Sequence, residues 1–149
     1  MVRPPADLSI AVACPCGSGA ALEACCGRWH AGAQHLQAPD AEALMRSRYS
    51  AYVLGLHDYV RDTWHPSTRP PALEPDPPGL KWLGLEVRSA PAPVGDQGTV
   101  EFVARNKLGG RAQRLHETSR FERVDGRWLY VDGDFRRIPG GSSATSAGG

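Results

Sequence analysis

The chain has 149 residues, a hydrophobic fraction of 41% and a formal net charge of +1, so it has the length and apolar content of about one globular domain. Its near-zero net charge gives no overall field that would attract nucleic acid or a membrane surface. It contains no apolar run long enough to span a bilayer, so the sequence predicts no membrane segment.

Neither end of the chain has a pattern typical of folded structure. Residues 1–13 hold only a short apolar stretch behind Pro4 and Pro5, which is too short for a secretory signal, and we interpret them as a flexible lead. Residues 140–149 contain only Gly, Ser, Ala and Thr, which predicts a disordered tail. Without an export signal, we expect a cytoplasmic protein.

All four cysteines lie close together, at Cys14, Cys16, Cys25 and Cys26. Four thiolates suit tetrahedral Zn²⁺, and glycines in the intervening segment allow the sharp turn that brings the two pairs together. We predict a structural zinc site in a knuckle spanning residues 14–38. A disulfide pair and a redox dithiol are the alternatives, and within a zinc site His30 could replace one cysteine, most easily Cys26.

The segment from Ala41 to Trp64 has apolar residues near helical spacing, behind a plausible N-cap at Asp40. A break at Gly55 or at His57-Asp58 predicts two helices. The second helix is expected to carry Tyr59, Val60 and Trp64.

A proline-rich stretch, residues 66–78, predicts a semi-rigid loop before the pattern changes to strands. We predict strands over about 81–89, 98–106, 111–124 and 127–135. Gly109-Gly110 and Asp125-Gly126 are strong signals for tight hairpin turns. Helices followed by an antiparallel meander predict one α+β domain over residues 39–139.

Several motifs in this order resemble a known family. Cys14-x-Cys16-x-Ser18-Gly19-x5-Cys25-Cys26 resembles the SEC-C motif, the zinc knuckle first described at the C-terminus of the SecA translocation ATPase. The YchJ-like family of uncharacterised small bacterial proteins has signatures similar to residues 44–52, 63–69 and 126–133, and to His116-Glu117-x3-Phe121.

The resemblance implies a SEC-C knuckle followed by a cystatin-like α+β domain of the nuclear-transport-factor-two type. In that fold a curved four-stranded antiparallel sheet wraps helices into a cone with a pocket. Two features differ from the family pattern: the knuckle lacks lysines between its cysteine pairs, and no second cysteine motif follows the domain.

Strand alternation suggests which side chains face that pocket. On the third strand Leu115 and Phe121 share a face with Glu117 and Ser119, which predicts an inward Glu117. On the fourth strand Trp128, Tyr130 and Asp132 alternate with Leu129 and Val131, which leaves the inward set open.

An inward carboxylate needs a cation or hydrogen-bond donors, and Arg46 and Arg48 are candidate cations. The predicted pocket residues are Arg46, Tyr49, Trp64, His65, Glu117 and Tyr130. The alternative is a buried Arg–Glu pair that fixes helix against sheet, with His65 a loop histidine without a role. No catalytic residue is assigned.

These observations favour a non-enzymatic zinc-binding adaptor. Its knuckle would dock a protein or ribosome-associated partner, and its cone would hold a small ligand. The first alternative is an isomerase, dehydratase or hydrolase that uses Glu117 as general acid or base, and the second is a metal-handling protein with zinc as cargo. The basic segment from Arg105 to Arg127 could contact an anion such as RNA, or could be a solvated sheet face.

Overall fold

The computed structural model describes residues 12–73 and 77–139, so most of the predicted lead and the whole predicted tail lie outside the described residues. A 3-10 turn at Leu22–Ala24 precedes three helices and four strands. The helices are α1 (Gly27–His30), α2 (Ala41–Leu54) and α3 (His57–Asp62). The strands are β1 (Lys81–Ser89), β2 (Gln97–Leu108), β3 (Arg111–Val124) and β4 (Arg127–Pro139).

The limits of α2 follow from local chemistry at both ends. Asp40 accepts a hydrogen bond from the Ala43 amide at 2.8 Å through Oδ1, which satisfies one of the free N–H groups of the first turn. Gly55 ends the helix with φ of 75°, a left-handed conformation that glycine adopts without strain. The predicted N-cap and the predicted break at Gly55 are therefore confirmed.

Trp64 does not lie on the second helix as predicted. α3 ends at Asp62, and Trp64 forms a parallel bridge with Tyr130 of β4. The Tyr130 amide donates to the Thr63 carbonyl at 2.8 Å, and the His65 amide donates to the Tyr130 carbonyl at 2.7 Å. Because Pro66 disfavours helical geometry at the residue before it, the chain leaves the helix and pairs with the sheet.

The sheet has the order β1-β2-β3-β4 with every neighbouring pair antiparallel, as predicted. Gly109 and Gly110 turn between β2 and β3 with φ of 60° and 80°. Asp125 and Gly126 turn between β3 and β4 with φ of 53° and 81°. Positive φ at both central residues is the geometry of the type I′ hairpin turn that the sequence indicated.

A bulge in β4 decides which of its side chains face inward. Arg120 pairs with Asp132, but the next residue, Phe121, pairs with Tyr130, so Val131 is an extra residue. One extra residue reverses the alternation beyond it. Tyr130 therefore faces inward beside buried Phe121, while Asp132 faces outward and bonds Arg120 at 2.6 Å, so the sequence pattern that grouped Tyr130 with Asp132 was wrong.

One hydrophobic core joins the helices, the inner face of the sheet and the cysteine segment. Leu44, Val60 and Val100 are almost fully buried in it. Cys16 and Cys26 belong to the same cluster, with 0% and 2% of their surface exposed. The cysteine segment is thus packed into the domain core.

Candidate functional site: a four-cysteine cluster and an aromatic cavity

The cysteine cluster is formed by a short loop and the turn that follows it. Ala13 and Ala21 form an antiparallel bridge, and the Cys14 amide donates to the Ala20 carbonyl at 2.9 Å. Gly17 and Gly19 have φ of 82° and 90° and reverse the chain between these contacts. The loop thereby brings the first cysteine pair against the second.

The four cysteine sulfur atoms all lie within 4.8 Å of one another. A tetrahedral ion with metal–sulfur distances near 2.3 Å needs sulfur atoms roughly 3.8 Å apart. The Cys16 and Cys25 Sγ atoms are 3.7 Å apart. The donor set therefore fits a metal ion with four thiolate ligands.

Polar groups surround the sulfur atoms. The Ser50 hydroxyl lies 3.4 Å from Cys14 Sγ, and the Ser18 hydroxyl lies 3.1 Å from Cys25 Sγ. A hydrogen bond from the Cys26 thiol, helped by Ser18 and Arg46, lowers the pKa of Cys16 to about 4. The same bond and burial raise the pKa of Cys26. A metal ion bound here needs thiolate ligands, so its binding would release the remaining thiol protons.

His30 lies outside this group of four sulfur atoms. Its Nε2 donates to the Ser47 carbonyl at 2.9 Å, and its ring packs edge-on against Tyr59 with centroids 4.8 Å apart. In this arrangement His30 links α1 to α2. The candidate metal ligands are the four cysteines.

The second feature is a cavity of about 200 Å³ between the helices and the inner face of the sheet. Seven aromatic side chains line it, together with a few aliphatic and polar groups. The aromatic residues are Tyr49, Tyr52, Trp64, Trp82, Phe102, Phe121 and Tyr130. The remaining lining residues are Met45, Arg48, Ala104, Leu115, Glu117 and Ser119.

Of the predicted pocket residues, Tyr49, Trp64, Glu117 and Tyr130 line this cavity. Arg46 does not: its Nε bonds Glu42 at 2.9 Å, and its Nη1 donates to the Cys16 carbonyl at 3.1 Å. Arg48 is the arginine that lines the cavity. Two residues apart on a helix, the two side chains point in nearly opposite directions, so one reaches the cysteine cluster and the other the cavity.

His65 also lies outside the cavity lining. Its Nε2 is 3.0 Å from a Glu122 carboxylate oxygen, and its Nδ1 accepts from the Ser67 amide at 3.0 Å. His65 therefore connects the loop after α3 to the sheet.

Glu117 projects into the cavity from β3. Its Oε2 accepts hydrogen bonds from the Ser119 hydroxyl at 2.7 Å and the Tyr130 hydroxyl at 3.1 Å. Burial raises the pKa of Glu117 above its ordinary value, against the opposite effect of these two hydrogen bonds. Burial and the neighbouring carboxylate also raise the pKa of Tyr130. The cavity thus contains a carboxyl group that ionises less readily than an exposed glutamate.

Sequence reasoning missed Tyr52 and Trp82 as cavity residues. Tyr52 follows Tyr49 by three positions, a helical spacing that could have placed both on one face. Trp82 precedes a register shift between Trp82 and Gly84, and this shift removes the simple alternation that would reveal an inward residue.

On the outer face of the sheet, like charges stand opposite each other across neighbouring strands. Arg105 pairs with Arg114 and Lys81 with Lys107, and all four are exposed. Opposed like charges weaken a sheet unless another group balances them. Contact of this basic face with an anion stays a prediction.

Among the helices in the described parts of the chain, none has the length and apolar character needed to cross a membrane.

Comparison with known proteins places these features in a family. Residues 40–133 match a family model described as the YchJ middle NTF2-like domain. A UPF0225 protein of Bordetella parapertussis is 57% identical over 136 residues, covering 91% of this chain and 100% of that protein. A UPF0225 protein of Methylibium petroleiphilum is 61% identical over 121 residues, covering 81% and 87%.

A solved structure is also similar to this chain over most of its length, at lower sequence identity. The crystal structure of a SEC-C motif containing protein from Psychrobacter arcticus aligns with a TM-score of 0.67 and 28% identity. The alignment covers 89% of this chain and 84% of that one. With an NTF2-like domain, clustered cysteines and relatives matched over most of their length, the chain belongs to the YchJ-like, or UPF0225, family of bacterial proteins.

Proposed function

We propose that this protein is a small-ligand-binding module whose α+β domain is braced by a structural zinc ion. The observation that carries the proposal is the cavity of about 200 Å³, lined by aromatic rings and containing Arg48 and Glu117. A mostly apolar cavity with a few convergent polar groups is the usual form of a small-molecule site. Packing alone does not require two ionisable groups in such a cavity.

Zinc is the metal that best fits the four sulfur donors. Zn²⁺ favours tetrahedral thiolate coordination, and a site closed by four protein ligands leaves no position for a reacting water, which indicates a structural role. Cys14, Cys16, Cys25 and Cys26 would hold the ion. All four are free thiols in this structure. Since such a site needs reduced cysteines, we place the protein in the cytoplasm.

Metal analysis of the purified protein tests the zinc assignment. We expect about one zinc per chain, lost in the Cys25→Ser variant. The matched control is Ala24→Ser, which places the same hydroxyl on the neighbouring exposed residue. Wild-type protein without zinc, or a Cys25→Ser variant with full zinc content, would contradict the assignment.

Toluene titration followed by NMR tests the cavity with an uncharged probe. We expect saturable binding that shifts the resonances of Trp64 and Trp82. Ala104→Leu should abolish it by filling the cavity, while Val103→Ile, on the opposite face of the same strand, should bind as wild type. Absence of wild-type binding, or equal binding by Ala104→Leu, would contradict the proposal.

An acid–base enzyme is the second candidate, and the raised pKa of Glu117 inside a cavity favours it. In this case Glu117 would exchange a proton with a bound substrate. A metabolite screen tests it: turnover by wild type that disappears in a folded Glu117→Gln variant supports catalysis. Equal turnover by both proteins opposes it. A protein or ribosome-associated partner at the knuckle stays a prediction.

A further inference from the structure

Arg48 is a buried cation that makes no direct hydrogen bond or ion pair with a carboxylate among the described residues. The nearby Glu117, which lines the same cavity, acts on it only through its charge. Only 6% of the Arg48 surface is exposed. Its Nη1 donates to the Val60 carbonyl at 2.8 Å and to the Thr63 hydroxyl at 2.7 Å. A guanidinium stays protonated at neutral pH, so its positive charge remains inside the domain without a matching negative group in contact.

The rest of the guanidinium carries unused donors. Nη1 has two hydrogens, and its two acceptors account for both. Nε and Nη2 carry three more N–H groups, and none of these makes a hydrogen bond within the described part of the chain. Arg48 lines the cavity, so a ligand bound there could accept from these groups. Two parallel N–H groups of arginine match the two oxygens of a carboxylate.

Aromatic rings hold Arg48 in place. The guanidinium carbon lies 4.5 Å from the Tyr130 ring centroid and 5.1 Å from that of Trp64. These contacts fix the side chain in one orientation and keep water from it. A fixed and desolvated cation binds an anion with little loss of conformational entropy.

The Glu117 carboxyl group does not occupy this edge of Arg48. Its Oε2 instead accepts hydrogen bonds from the hydroxyls of Ser119 and Tyr130. Burial raises the pKa of Glu117, while these hydrogen bonds and the Arg48 charge act in the opposite direction. In its protonated form the carboxyl group can donate a hydrogen bond to a ligand oxygen.

The volume of the cavity and the residues that line it limit the size and polarity of the rest of the ligand. A dry apolar cavity of about 150 Å³ is large enough to hold benzene, and this one measures about 200 Å³ with seven aromatic residues in its wall. The body of the ligand is therefore one small ring or a similar apolar group.

Resting on the proposed ligand-binding function, we propose that the cavity binds a small ring-sized molecule carrying one carboxylate, whose oxygens Arg48 grips through Nε and Nη2. Its apolar body would lie against the aromatic wall. Carboxylate binding would give the guanidinium a directly hydrogen-bonded negative partner, in addition to the Val60 carbonyl and Thr63 hydroxyl that it already contacts.

Isothermal titration calorimetry of the wild-type protein tests this inference with three probes of nearly equal shape and different charge. The probes are benzoate, benzamide and benzylammonium. We expect benzoate to bind about tenfold or more tightly than benzamide, and benzylammonium more weakly than either. Equal affinities for the three probes, or tighter binding of benzylammonium, would show that the ligand is not a carboxylate. In that case the cavity would still be a ligand site. If none of the three binds and toluene also fails, the ligand-binding function itself is overturned.

Variants assign the charge preference to Arg48. Arg48→Gln should lose about tenfold or more of benzoate affinity and keep its benzamide affinity. The matched control is Arg61→Gln, an exposed arginine next to the residue whose carbonyl Arg48 contacts. Unchanged benzoate affinity in a folded Arg48→Gln variant would overturn the assignment, and the wild-type probe series decides the ligand class if that variant fails to fold.

Discussion

At the scale of single residues, the chemistry of the cavity depends on which of two arginines faces it. The sequence offered Arg46 and Arg48 as partners for Glu117, and the choice depends on how α2 packs. Helical residues two apart lie on nearly opposite sides, so only one can face the sheet. The pattern could not decide, because Ser47 and Ser50 are also fully buried and give α2 no clear polar face. By contrast, Glu117 was predictable, since Leu115 and Phe121 flank it at strand spacing.

Glu117→Gln should change the pH dependence of stability. Burial raises the pKa of Glu117, so ionising this group destabilises the folded state. Below the ordinary pKa of the carboxyl, the group is neutral in both folded and unfolded chains. As pH rises through the raised pKa, the wild type loses stability that the glutamine variant keeps.

Urea unfolding of wild type and Glu117→Gln at several pH values from 4 to 8 measures this effect. We expect the free energy of unfolding of the variant, relative to wild type, to increase with pH and then level off. The matched control is Glu23→Gln, which makes the same chemical change at an exposed residue. A relative stability that falls with rising pH would refute the burial effect.

Gly133→Ala should destabilise the protein because the backbone at Gly133 lies against Glu117. A Cβ at this position would overlap Glu117 Oε2 and lie 3.0 Å from the Thr118 carbonyl oxygen. We expect a loss of about 1–3 kcal/mol in urea unfolding, typical of overpacking. The loss should be smaller when Glu117→Ala is already present, and full additivity of the two changes would argue against this contact.

At the scale of elements, α2 is the connection between the two halves of the site. Ser50 and Arg46 contact the cysteine segment, through Cys14 Sγ and the Cys16 carbonyl. Arg48, on nearly the opposite side of the helix from Arg46, lines the cavity, and Tyr49 lines it as well. A helix enclosed on both sides is buried almost all round, which explains why it has no simple amphipathic stripe.

The tight turns and the limits of β1 and β3 were predictable because turn residues and alternation are local signals. β2 and β4 extend beyond their predicted ends, to Leu108 and Pro139. The three register shifts were not predictable: one lies in β4 at Val131, and two lie in β1, after Trp82 and after Val87. The bulge at Val131 and the shift after Trp82 each add a residue that the sequence does not mark, and each reverses the inward set beyond it. Such features depend on how the neighbouring strand and helix pack.

Asp40→Ala should weaken the start of α2. The change removes the acceptor for the Ala43 amide, and loss of an N-cap costs about 0.5–2 kcal/mol. Thermal and urea unfolding measure the loss. Asp40→Ser keeps a capping oxygen and should retain most of the stability, so an equal loss in both variants would point to a role other than capping.

At the scale of the whole molecule, the knuckle and the α+β domain share one core. Cys14, Cys16, Cys26 and Trp29 belong to the same cluster as Leu44 and Val60. The sequence predicted the two parts, since clustered cysteines and a helix-then-strand order are visible in it. Their union was not predictable, because it depends on long-range contacts between α2 and the cysteine loop.

Removal of the proposed metal should therefore affect the cavity as well as the knuckle. We expect chelation to lower the melting temperature, by an amount set by the affinity and concentration of free metal. It should also weaken benzoate or toluene binding, because α2 loses its support on one side. Added zinc should restore both properties. Normal ligand affinity in fully metal-free protein would show that the two sites are independent.

The two-residue turns that join β2, β3 and β4 also affect the folding rate of the protein, and the cysteine cluster affects its unfolding rate. Strands linked this closely pair with little loop-closure entropy, so the meander can form early in folding. The cysteine cluster is itself local, but its contacts with α2, from Cys14 Sγ to Ser50 and from the Cys16 carbonyl to Arg46, join residues at least 30 positions apart and are longer-range than the hairpins. An ion held there would mainly slow unfolding. The metal would thus govern the lifetime of the folded protein more than the rate at which it folds.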